Sequence, residues 1–81
     1  MDTRKQVSLR IQQLWATHGY NINSLARKSG IPPTTLKNIV YGNSRNPGIV
    51  TIKLICDGLE ISLYDFFDSD VFKRFDLEDI G

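Results

Sequence analysis

Along residues 3–18 the positions Val7, Ile11, Leu14, Trp15 and His18 fall on one stripe with polar residues between them, the 3.6-residue recurrence of an amphipathic helix. Gly19 stops it. Asn21 is placed to cap a second helix, Ile22 to Ser29, whose Leu25 and Ala26 face inward and whose end falls at Gly30, where a left-handed backbone suits glycine. Pro33 fits the first turn of a third helix, because a helix start has no partner for the N–H that proline lacks, and Pro32 before it is held extended. That helix runs to about Tyr41 with Leu36, Ile39 and Val40 inward, and Gly42 ends it.

After the polar loop NSRNPG, a fourth helix from about Ile49 to Leu59 buries Ile52, Ile55, Cys56 and Leu59. Gly58 is expected to weaken its end by about 1 kcal/mol relative to alanine, so that it frays or turns early. Ser62 caps a fifth helix whose Leu63, Phe66 and Phe67 close the core. No alternation is long enough for a strand, so the expected fold is all-α: five helices, with room for a short sixth at the C-terminus capped by Asp68 or Ser69. Residues 1–68 form the folded unit in this reading and residues 69–81 an acidic amphipathic tail. The tail's Val71, Phe72, Phe75 and Ile80 make a stripe too short to be stable alone, which either folds back on the core or packs against a second copy.

The chemistry open to such a chain is narrow. It has 81 residues, 41% of them hydrophobic, enough for one small core. No apolar run approaches the ~18 residues of a membrane span, and MDTRKQ lacks a signal-peptide core, so a cytoplasmic location is expected. A single cysteine, Cys56, excludes an internal disulfide or a cysteine-based zinc site, and reads as a core residue. His18 is the only histidine and reads as a partner of the helix dipole or the core edge. A calcium loop begun at Asp68 would need glycine where Lys73 stands and glutamate where Asp79 stands. Nothing resembles a Ser/His/Asp group or a carboxylate pair, so neither catalysis, nor a cofactor, nor a small-molecule ligand is expected.

Charge changes the picture through its distribution. The net charge is +1, but residues 1–53 carry eight lysines and arginines against the single acid Asp2, whereas residues 54–81 carry two basic and eight acidic residues. That asymmetry suggests one part facing a polyanion and one facing away.

Returning to the breakers, Gly30-Ile31-Pro32 joins two short helices by a very tight turn. Two helices so joined form a helix-turn-helix, in which the second projects into the DNA major groove, about 12 Å wide, while the first braces it across the backbone. The geometry needs a small residue where the helices approach, a glycine in the turn and apolar anchors under the projecting helix. Ala26, Gly30, Ile31, Leu36 and Ile39 meet those needs.

At LARKSGI (25–31), TLKNIVYG (35–42), NPGIVTIKLICDGL (46–59) and ISLYDFF (61–67) the sequence resembles the phage-repressor and Cro-like, or Xre-type, DNA-binding domains, in the family's order and spacing. The resemblance covers about residues 7–67. It implies a five-helix lambda-repressor-like domain that binds double-stranded operator DNA, commonly as a homodimer, with the third helix reading bases. Carried onto this chain, the base-facing positions are Pro33, Thr34, Lys37 and Asn38. Thr34 can bond either base type or touch a thymine methyl, Lys37 can donate to guanine, Asn38 can pair bidentately with adenine, and Pro33 offers apolar contact only. The same resemblance places phosphate contacts at Asn21, Ile22, Asn23, Tyr41, Asn43 and Arg45, to which Arg27 and Lys28 add by charge alone.

Two departures from the family stand out. Ile22 occupies a position where many members carry glutamine, so a side-chain donor to phosphate is missing. Trp15 and Val40 stand where many members pair an arginine with a glutamate. Apolar residues replacing a partly buried ion pair are often neutral or stabilising, because ions lose hydration on burial. Trp15 is accordingly expected to pack on Val40, and a tryptophan more than half exposed would break the alignment there. The functional expectation is a sequence-specific transcriptional regulator, a repressor; the alternative is a protein-interaction module, such as an antitoxin-like subunit that grips a partner with its tail.

Overall fold

The structure, a computed structural model, describes residues 3–44 and 46–73. Five α-helices follow one another, α1 (Thr3–His18), α2 (Ile22–Ser29), α3 (Pro33–Val40), α4 (Ile49–Leu59) and α5 (Leu63–Phe67), and a 3₁₀ turn, Asp70–Phe72, comes after them. No strand occurs among the described residues. The core takes Val7, Ile11 and Leu14 from α1, Leu25 and Ala26 from α2, Leu36, Ile39 and Val40 from α3, Ile52, Ile55, Cys56 and Leu59 from α4, and Phe66 from α5. Every α-helix thus contributes to one cluster, which is what the apolar stripes require.

Local chemistry accounts for the boundaries. Asn21 Oδ1 accepts the Ser24 N–H at 2.9 Å while Ser24 Oγ accepts the Asn21 N–H at 3.1 Å, a reciprocal cap on α2. At the other end Gly30 has φ +71°, and the Ile31 N–H reaches back to the Ala26 carbonyl at 3.1 Å, closing the helix and aiming the chain into α3. Pro32 is extended, at φ −61° and ψ 140°, and Pro33 opens α3. α3 stops at Val40, one residue before the expected end; Tyr41 caps it and Gly42, at φ +75°, turns the chain away. Ser62 caps α5 by accepting the Asp65 N–H at 2.9 Å.

The end of α4 corrects the expectation for Gly58. The helix does not fray there; it runs on to Leu59, and Glu60 takes the left-handed position at φ +61°. Gly58 is buried where α4 crosses α2, the most extensive interhelical packing in the molecule. A Cβ added to it would run into Ser29 Oγ and lie only 3.1 Å from the Ser29 nitrogen and 3.2 Å from its Cα. The glycine that weakens α4 by propensity is therefore what lets two backbones touch. The hydroxyl of Ser29, trapped in that contact, is buried without a hydrogen-bond partner.

Two further residues depart from the expected pattern, and a third agrees with it. His18 lies off the buried stripe: it is exposed, with Nδ1 2.8 Å from the Leu14 carbonyl and its ring stacked at 6.1 Å on Tyr20, which itself packs against the core. Phe67 keeps 37% of its surface exposed, edge-on to Phe66 at 4.9 Å, and Phe66 alone of the α5 residues is fully buried. Trp15 is partly buried against the cluster that holds Val40, on the expected side of the half-exposed mark.

The start of the tail folds back. Ser69 Oγ accepts the Val71 N–H at 3.3 Å, Phe72 packs on Phe67 at 5.0 Å, and the buried Gln6 of α1 donates through Nε2 to the Val71 carbonyl at 2.8 Å. Phe75 and Ile80 lie outside the described residues.

Candidate nucleic-acid interface

α3 is two turns long, and its burial pattern fixes which way it faces. At about 100° per residue, Leu36, Ile39 and Val40 share one side, so Thr34, Asn38 and Tyr41 run down the opposite one with Lys37 and Thr35 on its flanks. The exposures agree: Pro33, Thr34, Thr35, Lys37, Asn38 and Tyr41 are exposed, and Tyr41 reaches 58%. No described residue hydrogen-bonds to the side chains of Thr34, Lys37 or Asn38, which leaves a hydroxyl, an ammonium and an amide available outward. Thr35 joins this surface although the sequence reading passed over it, because its position falls at the edge of the buried stripe.

The segment after α3 is tied to it by backbone. The Asn38 carbonyl accepts from both Asn43 N–H, at 2.8 Å, and Ser44 N–H, at 3.1 Å. Asn43 is exposed at the start of this loop, and Arg45, the next proposed phosphate residue, lies outside the described residues. At the start of α2, Asn21 and Asn23 are exposed. The Oδ1 of Asn21 is committed to the cap, so what it can offer outward is its amide NH₂, beside the Ile22 and Asn23 backbone N–H groups that have no intrahelical acceptor. Ile22 is partly buried and packs against the core, so its side chain belongs to the scaffold.

Several cations counted in the basic half are engaged elsewhere. Arg10 donates from Nε to the Phe66 carbonyl and from Nη2 to the Asp65 carbonyl, both at 2.7 Å, closing the C-terminal end of α5 onto α1. Lys53 pairs with Asp57 one turn along α4. Lys28 donates to the Tyr20 hydroxyl at 2.6 Å and lies 3.9 Å from Glu60; the tyrosine contact raises its pKa above the usual 10.5, so it stays charged but faces a protein acid. Arg27 and Lys37 are exposed and remain the cations of the α2–α3 unit with no such partner among the described residues. The asymmetry of the sequence is real, but less of it faces outward than its sum suggests.

Among the described residues no group of His, Cys, Asp or Glu could hold a metal ion, and no helix is long and apolar enough to cross a membrane. Cys56 is fully buried, which pushes its thiol pKa up and keeps it neutral.

Comparison with known proteins bears on the family and the fold. The chain is 36% identical over 52 residues to the HTH-type transcriptional regulator SlrR of Bacillus subtilis (strain 168), a match spanning 64% of this chain and 34% of that protein, so the chain corresponds to about a third of that relative. Its structure resembles the crystal structure of the prophage Lp1 protein 11, with a TM-score of 0.78 and 30% identity, covering 91% of this chain and 97% of that one. A family profile described as the Cro/C1-type HTH DNA-binding domain matches residues 10–70, which takes in all of α2 through α5, and the chain therefore belongs to the Cro/C1-type helix-turn-helix DNA-binding domain family.

Proposed function

We propose that the chain is a sequence-specific transcriptional regulator, a repressor, that inserts α3 into the major groove of double-stranded operator DNA. The observation that carries this is the outward side of α3: a row of side chains able to hydrogen-bond and without partners among the described residues, on a helix anchored beneath by Leu36, Ile39 and Val40. Thr34, Lys37 and Asn38 read base edges, and Pro33 makes apolar contact at the helix start. Asn21, Asn23, Tyr41, Asn43 and Arg45, with the backbone amides at the start of α2, hold phosphates. Ile22 takes part only through its N–H. Residues 1–68 supply the DNA-binding unit, residues 69–81 the tail, and binding is as a homodimer on half-sites about 34 Å apart.

Selection of bound sequences from random duplexes, followed by NMR titration, tests the reading. A two-fold symmetric consensus and shifted amides over residues 33–43 are expected. Amides that stay in place there while another patch responds would overturn it. The alternative, a protein-interaction module, draws on Tyr64, 78% exposed beside Phe67 and Leu63 on α5. Salt separates the two, because each phosphate contact adds about −0.9 to the log-log slope of DNA affinity, whereas an apolar protein contact gives a shallow one.

A further inference from the structure

α3 ends in a carbonyl that takes its hydrogen bonds from the side chains of another helix. Of the last four carbonyls of the helix, that of Lys37 accepts the Tyr41 N–H at 3.1 Å, that of Asn38 accepts from Asn43 and Ser44, and that of Ile39 accepts the Gly42 N–H at 3.1 Å. The carbonyl of Val40 accepts instead from two side chains of α1: Ser8 Oγ, and Gln12 Nε2 at 2.9 Å. Gln12 Nε2 also lies 3.1 Å from Ser8 Oγ, so the pair forms one bonded unit. Ser8 is buried, and a Cβ on Gly42 would sit 3.9 Å from its own, so the turn out of α3 passes directly over it. Elsewhere among the described residues α3 meets the body through apolar contact, which holds by shape and burial and sets no bond direction. Among the described residues, the side chains that fix the far end of the helix with directional bonds are those of Ser8 and Gln12.

Direction matters because of leverage. An eight-residue helix is about 12 Å long, so a tilt of about 10° about its start moves its end by about 2 Å. Hydrogen bonds to base edges tolerate only a few tenths of an ångström around 2.9 Å. We infer that Ser8 and Gln12 are positioning residues for DNA reading: by gripping the Val40 carbonyl they hold Asn38, Tyr41 and Asn43 in register with the duplex without touching it. This rests on the major-groove reading above.

The test compares Gln12→Met, which keeps the length and helix propensity but has no donor, with Ser8→Ala, and uses Gln13→Met as a neighbouring control. Each is titrated with the selected duplex and with a randomised one, and the free proteins are compared by amide NMR. Loss of one neutral bond corresponds to about a five-fold loss on the selected duplex. The randomised duplex should lose less, so that preference narrows, and the Tyr41, Gly42 and Asn43 amides should shift while helical content is kept. Unchanged preference in both variants would overturn the inference, as would equal losses on both duplexes, which would make Gln12 a direct phosphate contact. Wild-type protein without any duplex preference would sink the major-groove reading, and this one with it; a wild-type preference that survives both variants but not Asn38→Ala would sink this one alone.

Discussion

The two helices of the helix-turn-helix are held to the body in opposite ways. α2 meets α4 backbone to backbone, through Gly58 and Ser29, with no hydrogen bond across the contact and one buried hydroxyl left unsatisfied. α3 meets α1 through an apolar side finished by two hydrogen bonds to one carbonyl. The first contact is specified by shape: it works only while nothing is added. The second is specified by direction and tolerates changes of size better than changes of donor. A brace needs closeness, and a helix that must meet a ligand in register needs orientation.

The largest way to break this arrangement is to hollow the core on the inner side of α3. Leu36→Ala should cost about 2 to 5 kcal/mol, read by urea unfolding, because Leu36 is fully buried beneath α3. Gly58→Ala comes next. Helix propensity favours the alanine by about 1 kcal/mol, but overpacking against Ser29 costs about 1 to 3, so net destabilisation is expected. Ser29→Ala alone should be close to neutral, since it deletes an unsatisfied hydroxyl, and it should relieve part of the Gly58→Ala loss. Additive effects in that double-mutant cycle would deny the contact its steric character.

Asn38→Ala should leave unfolding unchanged and weaken binding to the preferred site by about 1 to 3 kcal/mol, relaxing preference at one base pair. Equal losses on all sequences would reassign it to the phosphates. The smallest effect concerns the end of α4. Glu60→Gly should stabilise by about 1 kcal/mol, because a left-handed residue with a Cβ carries strain and the exposed contact to Lys28 contributes little. A lower melting temperature for that variant would mean that Glu60 holds Lys28 and Tyr20 in place more firmly than its exposure implies.

What the sequence made legible follows from the range of each interaction. Helix spans, the caps at Asn21 and Ser62, and the turn at Gly30 depend on residues within a few positions of one another, and the structure has them where the pattern puts them. The inward side of α3, Leu36, Ile39 and Val40, was legible for the same reason, whereas Pro33, Thr34, Lys37 and Asn38 came from the family resemblance, which left out the exposed Thr35. Gly58 was misread because its partner, Ser29, lies on another helix, and propensity knows nothing of that. Ser8 and Gln12 read as ordinary polar surface of α1, and no local pattern marks a side chain that bonds 28 or 32 residues away. The charge sum erred in the same manner, since Arg10 is committed to carbonyls 55 and 56 residues on.

Those long reaches by α1 have a consequence for the order of events on the ribosome. Its Arg10 finds carbonyl acceptors at residues 65 and 66 and its Gln6 one at residue 71, whereas α2, α3 and α4 find one another within a much shorter span of chain. α1 is synthesised before these partners and thus waits for those bonds until residues 65–71 have emerged, and a nascent chain halted before Phe66 would hold the tight turn but lack the latch that closes α5 onto α1.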